Sequence, residues 1–398
     1  VATVCDLVAI RSLSGEETPA QEFTASFLQS CGLLVDVWDI DLESLARHPY
    51  YSAEVERTSA LGVVGSTGRG SGPTLLLNGH VDVVPTGDLG AWSYPPWSPT
   101  VVDQKIYGRG AVDMKGGLVC GMYAAKALMD AGVELAGRLL VTSVIGEEDG
   151  GSGTLATLEH GVRADAAIIM EPTSLTVGAA QAGALSFRLT VRGLSAHGAT
   201  RSEGVSAIEK FAPIHLALRD LEDRRNADVG DPAFAHLRHP FALCIGRIEA
   251  GDWPSSEADW LRAEGRYGVA PGEDPDAARA ELEDAVAAVA AADPWLRQHP
   301  PTVEWVGGQF HPALIANDHP LVDLVSGAHA DVTGSKAALR GVPYGSDMGK
   351  LVPVGKIPTV VYGPGDVRIA HRPDEFVPID ELVQCTQALA LAALRYCG

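Results

Sequence analysis

The sequence predicts an α/β fold, a mainly parallel sheet flanked by helices, with a second α+β unit inserted into it. Three observations carry that expectation. Short, continuously apolar runs at Leu75-Leu76-Leu77, Leu139-Leu140-Val141, Ala167-Ile168-Ile169 and Thr359-Val360-Val361 alternate with stretches of helical periodicity, Gly116 to Ala131 and Ile379 to Tyr396 among them. Runs of that length and uniformity suit strands buried on both faces, the environment of a parallel sheet between helix layers. The stretch from about 183 to 308 has a different texture, and ionisable residues recur where apolar runs end.

Taken in order, Ser14-Gly15-Glu16-Glu17 has the Ser-x-x-Glu spacing of a capping box and precedes spaced apolar residues that stop at Gly32. A capped helix is expected over about 15–31. In the inserted stretch, Leu185 to Val191 alternates as a half-exposed strand, a helix is expected from about Gly204 to Leu221, and Phe241 to Ile248 and Trp260 to Tyr267 read as strands. Asp274-Pro275 supplies the N-cap and first position of a helix reaching about Ala291, and Thr302 to Val306 closes the unit as a strand. This β-α-β-β-α-β order makes 183–308 an insert, with 1–182 and 309–398 as the halves of one discontinuous domain.

Composition narrows the function. With 398 residues, 46% of them hydrophobic and 20% charged, the chain can bury two cores, which excludes disorder and small disulfide-stapled scaffolds. A net charge of −21 repels polyphosphates and anionic membranes, so no nucleic-acid or membrane partner is expected. No apolar stretch approaches the ~18 residues that cross a bilayer, and no basic segment with an apolar block opens the sequence. Cys5, Cys31, Cys120, Cys244, Cys385 and Cys397 are scattered without a C-x-x-C pair, as buried free thiols of a cytoplasmic protein would be.

Five places put an ionisable residue just after an apolar run or in the turn leaving it. They are His80 with Asp82, Asp113, the triplet Glu147-Glu148-Asp149, Glu171, and His371. Strands of an open α/β sheet present their carboxyl ends at one edge, so residues from position 80 to position 371 can converge there. Two imidazoles with carboxylates suit a pair of divalent cations. Each cation can take one His and one terminal carboxylate, while Asp113 is the natural bridge and a water or hydroxide fills the gap. Ions ~3.5–4 Å apart polarise a carbonyl and bring the pKa of a shared water toward ~7, as amide hydrolysis requires. Asp82, two residues beyond His80, is expected to hold the imidazole by its second nitrogen.

The surroundings of all five places resemble one family, the zinc-dependent metallopeptidases that include acetylornithine deacetylase, succinyl-diaminopimelate desuccinylase, aminoacylase and glutamate carboxypeptidase. The resemblance runs nearly end to end. It rests on Asn78-Gly79-His80-Val81-Asp82-Val83-Val84-Pro85, Tyr107-Gly108-Arg109-Gly110 through Asp113-Met114-Lys115-Gly116-Gly117, Gly146-Glu147-Glu148, Glu171-Pro172-Thr173, Gly193-Leu194-Ser195-Ala196-His197-Gly198, and Gly363-Pro364-Gly365 with Ala370-His371-Arg372-Pro373-Asp374-Glu375. It implies a zinc-exopeptidase-like catalytic domain and a ferredoxin-like insert that mediates homodimerisation. It also implies His80, Asp113 and Glu171 at one zinc, Asp113, Glu148 and His371 at the other, and Glu147 as general acid/base. Cobalt or manganese would be substitutes for zinc. His197 would reach across to the partner's active site and stabilise the oxyanion.

The subgroup is similar to the acetylornithine-deacetylase-like branch through Pro254-Ser255-Ser256, Glu264-Gly265-Arg266 and Pro271-Gly272-Glu273. It departs at Ala250-Gly251-Asp252-Trp253, where that branch usually has Gly-Gly, and this bears on the substrate rather than the chemistry. The expectation is therefore a di-zinc amidohydrolase that removes an N-acyl group from an amino acid or related small amine. Arg266 and the backbone of Gly363 and Gly365 are the candidates to bind a substrate carboxylate. A dipeptidase or carboxypeptidase with the same metals is the alternative, and a binding relative without turnover is the other.

Overall fold

The computed structural model of the chain describes residues 1–68 and 70–398. The chain divides into two compact units, one made of Val1–Ala180, Ala313–Val342 and Ser346–Gly398, the other of Gln181–Pro312 with Pro343–Gly345.

In the first unit the four apolar runs become the strands Thr74–His80, Arg138–Val144, Ala166–Ile169 and Thr359–Val361. They pair in parallel, with Arg138–Val144 and Ala166–Ile169 on either side of Thr74–His80 and Thr359–Val361 outside Ala166–Ile169. Two further strands, Leu61–Ser66 and then Leu34–Asp39, extend the sheet antiparallel beyond Arg138–Val144. Neither carries the sequence pattern of a buried strand. Leu34–Asp39 is largely exposed and lacks a continuous apolar run. Leu61–Ser66 contains Gly62 and Gly65, which lower strand propensity but serve close packing here: a Cβ on Gly62 would lie 2.2 Å from the Trp38 indole.

Every residue of Thr74–His80 is buried, because helices cover both faces. Asn78 reaches Thr154 in the helix Ser152–Glu159, whereas a Cβ on Gly79 would meet Leu118 in the helix Gly116–Asp130. Consecutive strand residues point to opposite faces, so these two helices lie on opposite sides of the sheet. Ile379–Cys397 packs with Gly116–Asp130. The first capped helix differs from expectation. It spans Thr18–Ser30 with no side-chain cap bond, and Glu17, instead of closing a capping box, pairs with Arg57 at 2.7 Å.

The second unit is one antiparallel sheet in the order Leu243–Ala250, Trp260–Val269, Gly183–Arg192, Thr302–Phe310. The helices Ala207–Asn226 and Pro275–Ala292 supply Ile214, Leu218, Leu282 and Val286 to a core with Leu185, Phe187, Leu189 and Val191. Asp274 caps the second helix by accepting from the Asp276 N–H. Among the described residues, no helix is long and apolar enough to cross a membrane.

Candidate metal centre

Parallel strands deliver the residues. His80 ends Thr74–His80, Glu147 and Glu148 follow Arg138–Val144, and Glu171 follows Ala166–Ile169. Asp113 lies in the turn before Gly116–Asp130, with φ −121° and ψ 95° and a cis peptide to Met114. His371 adopts φ +62° in the loop beyond Thr359–Val361.

The two carboxylate oxygens of Asp113 face different imidazoles. Oδ1 lies 3.3 Å from His80 Nε2, and Oδ2 lies 3.3 Å from His371 Nε2. On the His80 side, Glu171 Oε1 approaches Nε2 to 3.5 Å and Glu147 Oε2 to 3.9 Å. On the His371 side, Glu148 lies 3.1 Å from Nε2. Donor atoms of His80, Glu147 and Glu171, and of His80, Asp113 and Glu148, lie within 4.8 Å of one another. Both groups share His80, and the Asp113 carboxylate faces His371 as well, so one aspartate lies between two imidazoles that each have further carboxylates beside them.

Charge and tautomer show what such a cluster fits. His80 Nδ1 sits 2.9 Å from the Asp82 carbonyl, an acceptor only, so Nδ1 carries a ring proton and Nε2 is the nitrogen turned to the carboxylates. Nε2 is buried without a hydrogen-bond partner, and although burial opposes charge on the ring, Asp113 and Glu171 outweigh it and hold the His80 pKa well above its usual value. Carboxylates converging on an imidazole nitrogen call for positive charge there, which a proton supplies in the metal-free protein and a metal cation would supply in its place. The acids show the same demand. Burial and the Asp113 charge push Glu171 up to about 8, and burial with Glu171 holds Glu147 well above the usual range. Burial opposes charge on His371, yet Asp113 and Glu148 outweigh it and push the ring up to about 11. Two divalent cations fit this donor set.

Buried groups behind the cluster hold it in place. Glu375 Oε1 accepts the backbone N–H groups of Val112 and Asp113 at 3.0 and 3.2 Å, and Oε2 pairs with Arg109 at 2.5 Å. Lys115 donates to the carbonyls of Leu7 at 3.0 Å and Ile10 at 2.7 Å, tying the helix Ala2–Ala9 to the Asp113 turn. Asn78 donates to buried Asp347 at 2.9 Å, and Lys350 donates to the Tyr50 carbonyl at 2.7 Å. Arg109 and Glu375 fall within the motifs that carry the family resemblance, which itself implies no role for them. Asp347, Lys350 and Arg57 lie outside those motifs.

Asp82 does hold the His80 imidazole by its second nitrogen, through its backbone carbonyl, while its carboxylate has another task. The Asp82 carboxylate is 3.6 Å from His80 Nδ1, farther than its own backbone carbonyl, and instead accepts the N–H groups of Glu147 and Glu148 at 3.2 and 3.0 Å. Asp82 therefore shapes the turn carrying the tandem glutamates. The Gly363 and Gly365 amides are already engaged, donating to Thr173 Oγ1 at 3.1 Å and to Glu381 at 2.7 Å, so they are not free for a substrate carboxylate. A Cβ on Gly365 would fall 2.2 Å from Val112, which accounts for that glycine through packing.

The remaining predicted residues, His197 and Arg266, belong to the second unit. His197 is exposed, and its Nδ1 accepts from the Ala199 N–H at 3.1 Å, leaving the neutral ring's proton on Nε2. Arg266 donates to the Pro343 carbonyl at 2.9 Å, and burial lowers its pKa. No ion pair to it is found among the described residues.

A family model described as peptidase family M20/M25/M40 matches residues 76–395. The N-formyl-4-amino-5-aminomethyl-2-methylpyrimidine deformylase of Halalkalibacterium halodurans is 31% identical, covering 95% of this chain and 89% of the relative. The acetylornithine deacetylase of Myxococcus xanthus is 29% identical, covering 100% and 97%. The structure of the dipeptidase Dug1p from Saccharomyces cerevisiae superposes with a TM-score of 0.80 at 15% identity, over 100% of this chain and 95% of that one. Shape and sequence agree along nearly the whole length: the chain belongs to peptidase family M20/M25/M40, a family of hydrolytic enzymes.

Proposed function

We propose that the chain is a di-metal amidohydrolase that removes a short acyl group from the nitrogen of a small amine or amino acid. The observation that carries this reading is Asp113, whose oxygens each face a different imidazole at 3.3 Å, as a bridging ligand's would. His80 and Glu171 are the terminal ligands on one side, His371 and Glu148 on the other. Imidazole and carboxylate donors suit zinc, with cobalt or manganese able to replace it. When bound, the two cations would polarise the acyl carbonyl and acidify water.

The side chains do the rest. Glu147, in its buried position beside the ligands, takes the proton from the attacking water and hands it to the departing amine. His197 donates from Nε2 to the developing oxyanion, and Arg266 meets an acidic group on the substrate. The second unit is the dimerisation module, supported by the edge strand Leu243–Ala250, which exposes Ile248. The chain is cytoplasmic in this reading, supported by its free thiols.

A screen of metal-loaded protein against N-formyl and N-acetyl amines, N-acetyl and N-succinyl amino acids, and dipeptides tests the substrate class. The expected result is turnover of N-formyl or N-acetyl compounds above dipeptides, in keeping with the names of the relatives. Preferential cleavage of dipeptides would replace this reading with a peptidase. Sedimentation at micromolar concentration tests assembly: a dimer is expected, and a fully active monomer would remove His197 from a partner's site.

A further inference from the structure

Asp149 completes the acidic triplet, yet its carboxylate is engaged away from the imidazoles. Oδ2 accepts from Arg57 Nη1 at 2.8 Å and from the Val55 N–H at 3.2 Å, and Oδ1 accepts from Arg57 Nη2 at 3.2 Å. The same guanidinium donates to Glu17 Oε1 from Nη2 at 2.7 Å and from Nε at 3.2 Å. All three side chains are no more than 4% exposed.

We propose that Arg57 is a positioning residue for proton transfer: through Asp149 it fixes the turn that separates the directions of Glu147 and Glu148. The inference rests on the assignment of Glu147 as proton carrier. The turn is gripped from two sides, since Asp82 accepts the amides of Glu147 and Glu148 while Arg57 holds the Asp149 side chain. Gly146, at φ +60°, makes room for the second grip: a Cβ there would lie 2.8 Å from Arg57 Nη2 and 2.9 Å from Asp149 Oδ1. The turn closes on itself through Gly150 N–H to the Glu147 carbonyl at 3.0 Å and Gly151 N–H to the Gly146 carbonyl at 2.8 Å. A planar fork bonding two carboxylates fixes direction as well as distance, which an ammonium point charge does not. Proton transfer depends on direction, because the carboxylate must lie within hydrogen-bond reach of the water it deprotonates.

Two variants separate aim from folding. Arg57→Lys keeps the charge and loses the fork. The combined Glu17→Gln, Arg57→Met, Asp149→Asn variant removes all three charges, so no buried ion is left unpaired. Each is loaded with metal and measured for metal content, melting temperature, kcat and KM on an N-acyl substrate from the screen. The expected result is a folded protein with both metals and nearly unchanged KM, and a kcat lower by about 10- to 100-fold. In a Glu147→Gln background the same changes should add no further loss, because the group they aim is gone. A combined variant that folds, holds both metals and keeps parental kcat overturns the proposal. So does metal lost in step with kcat, or a loss that adds fully in the Glu147→Gln background. A fully active Glu147→Gln protein would instead refute the proton-carrier assignment, and that is read with Arg57 intact.

Discussion

Glu147 and Glu148 are consecutive yet meet different neighbours. Glu148 lies 3.1 Å from His371, whereas Glu147 lies 3.9 Å from His80 and has its Oε1 buried without a hydrogen-bond partner. Glu147→Gln, which keeps the shape and cannot take up a proton, should retain both metals and lose about 10²–10⁴ in kcat. Glu148→Ala should lose metal and recover part of its activity in excess zinc or cobalt. Metal analysis beside kcat checks the pair, and a Glu147 variant that sheds metal would reverse the two roles. Because Asp113 faces both imidazoles, Asp113→Ala should bind less metal than an alanine change at His80, Glu148, Glu171 or His371, measured after dialysis against one metal buffer. The ligand positions were legible in the sequence because each falls where an apolar run or its turn ends. Asp82 was legible as a neighbour of His80 but not in its task, since spacing does not say whether carbonyl or carboxylate reaches the ring. Arg57 and Asp347 had no local signal, as their partners lie far away along the chain.

At the scale of elements, a three-stranded sheet made of Thr100–Val102, Lys105–Tyr107 and Phe376–Pro378 ends against the Asp113 turn through Glu375, the residue before its last strand. Glu375 is fully buried, and burial lifts its pKa to about 7 despite Arg109. Glu375→Leu would leave the Arg109 guanidinium buried without its carboxylate and free two backbone N–H groups. The expected cost is about 3–5 kcal/mol, since removing one partner strands the other charge. A denaturant midpoint measures that loss, and a metal titration should show weaker binding, because the loosened turn carries Asp113. The central parallel strands were readable from continuous apolar runs, whereas the antiparallel edge was not. In Leu61–Ser66 the sheet accepts glycines to admit Trp38 and Leu28, a demand set by neighbours rather than by the segment itself.

For the whole molecule, the buried acids of the centre make stability depend jointly on metal and pH. In chelated protein Glu171 at about 8 and His371 at about 11 sit above their unfolded values, so the folded chain holds protons that the unfolded chain releases. Stability from such groups is full below the unfolded pKa and is lost as pH rises through the folded one. Chelated protein should therefore melt at a lower temperature near pH 9 than near pH 6, whereas metal-loaded protein, with cations in place of protons, should melt higher and vary less over that range. Thermal melts with and without chelator at both pH values check the sign. The interrupted course of the first unit also imposes a timetable. His80, Asp113, Glu147, Glu148 and Glu171 all precede Gln181–Pro312, while His371 and Glu375 follow it. A chain growing from its N-terminus and folding as it emerges carries those acids with one imidazole until the whole second unit has been synthesised. A cation arriving early meets only the His80 side of Asp113. The His371 side closes last, so on the di-metal reading proposed above, filling of the second position would record that the two halves of the first unit have met.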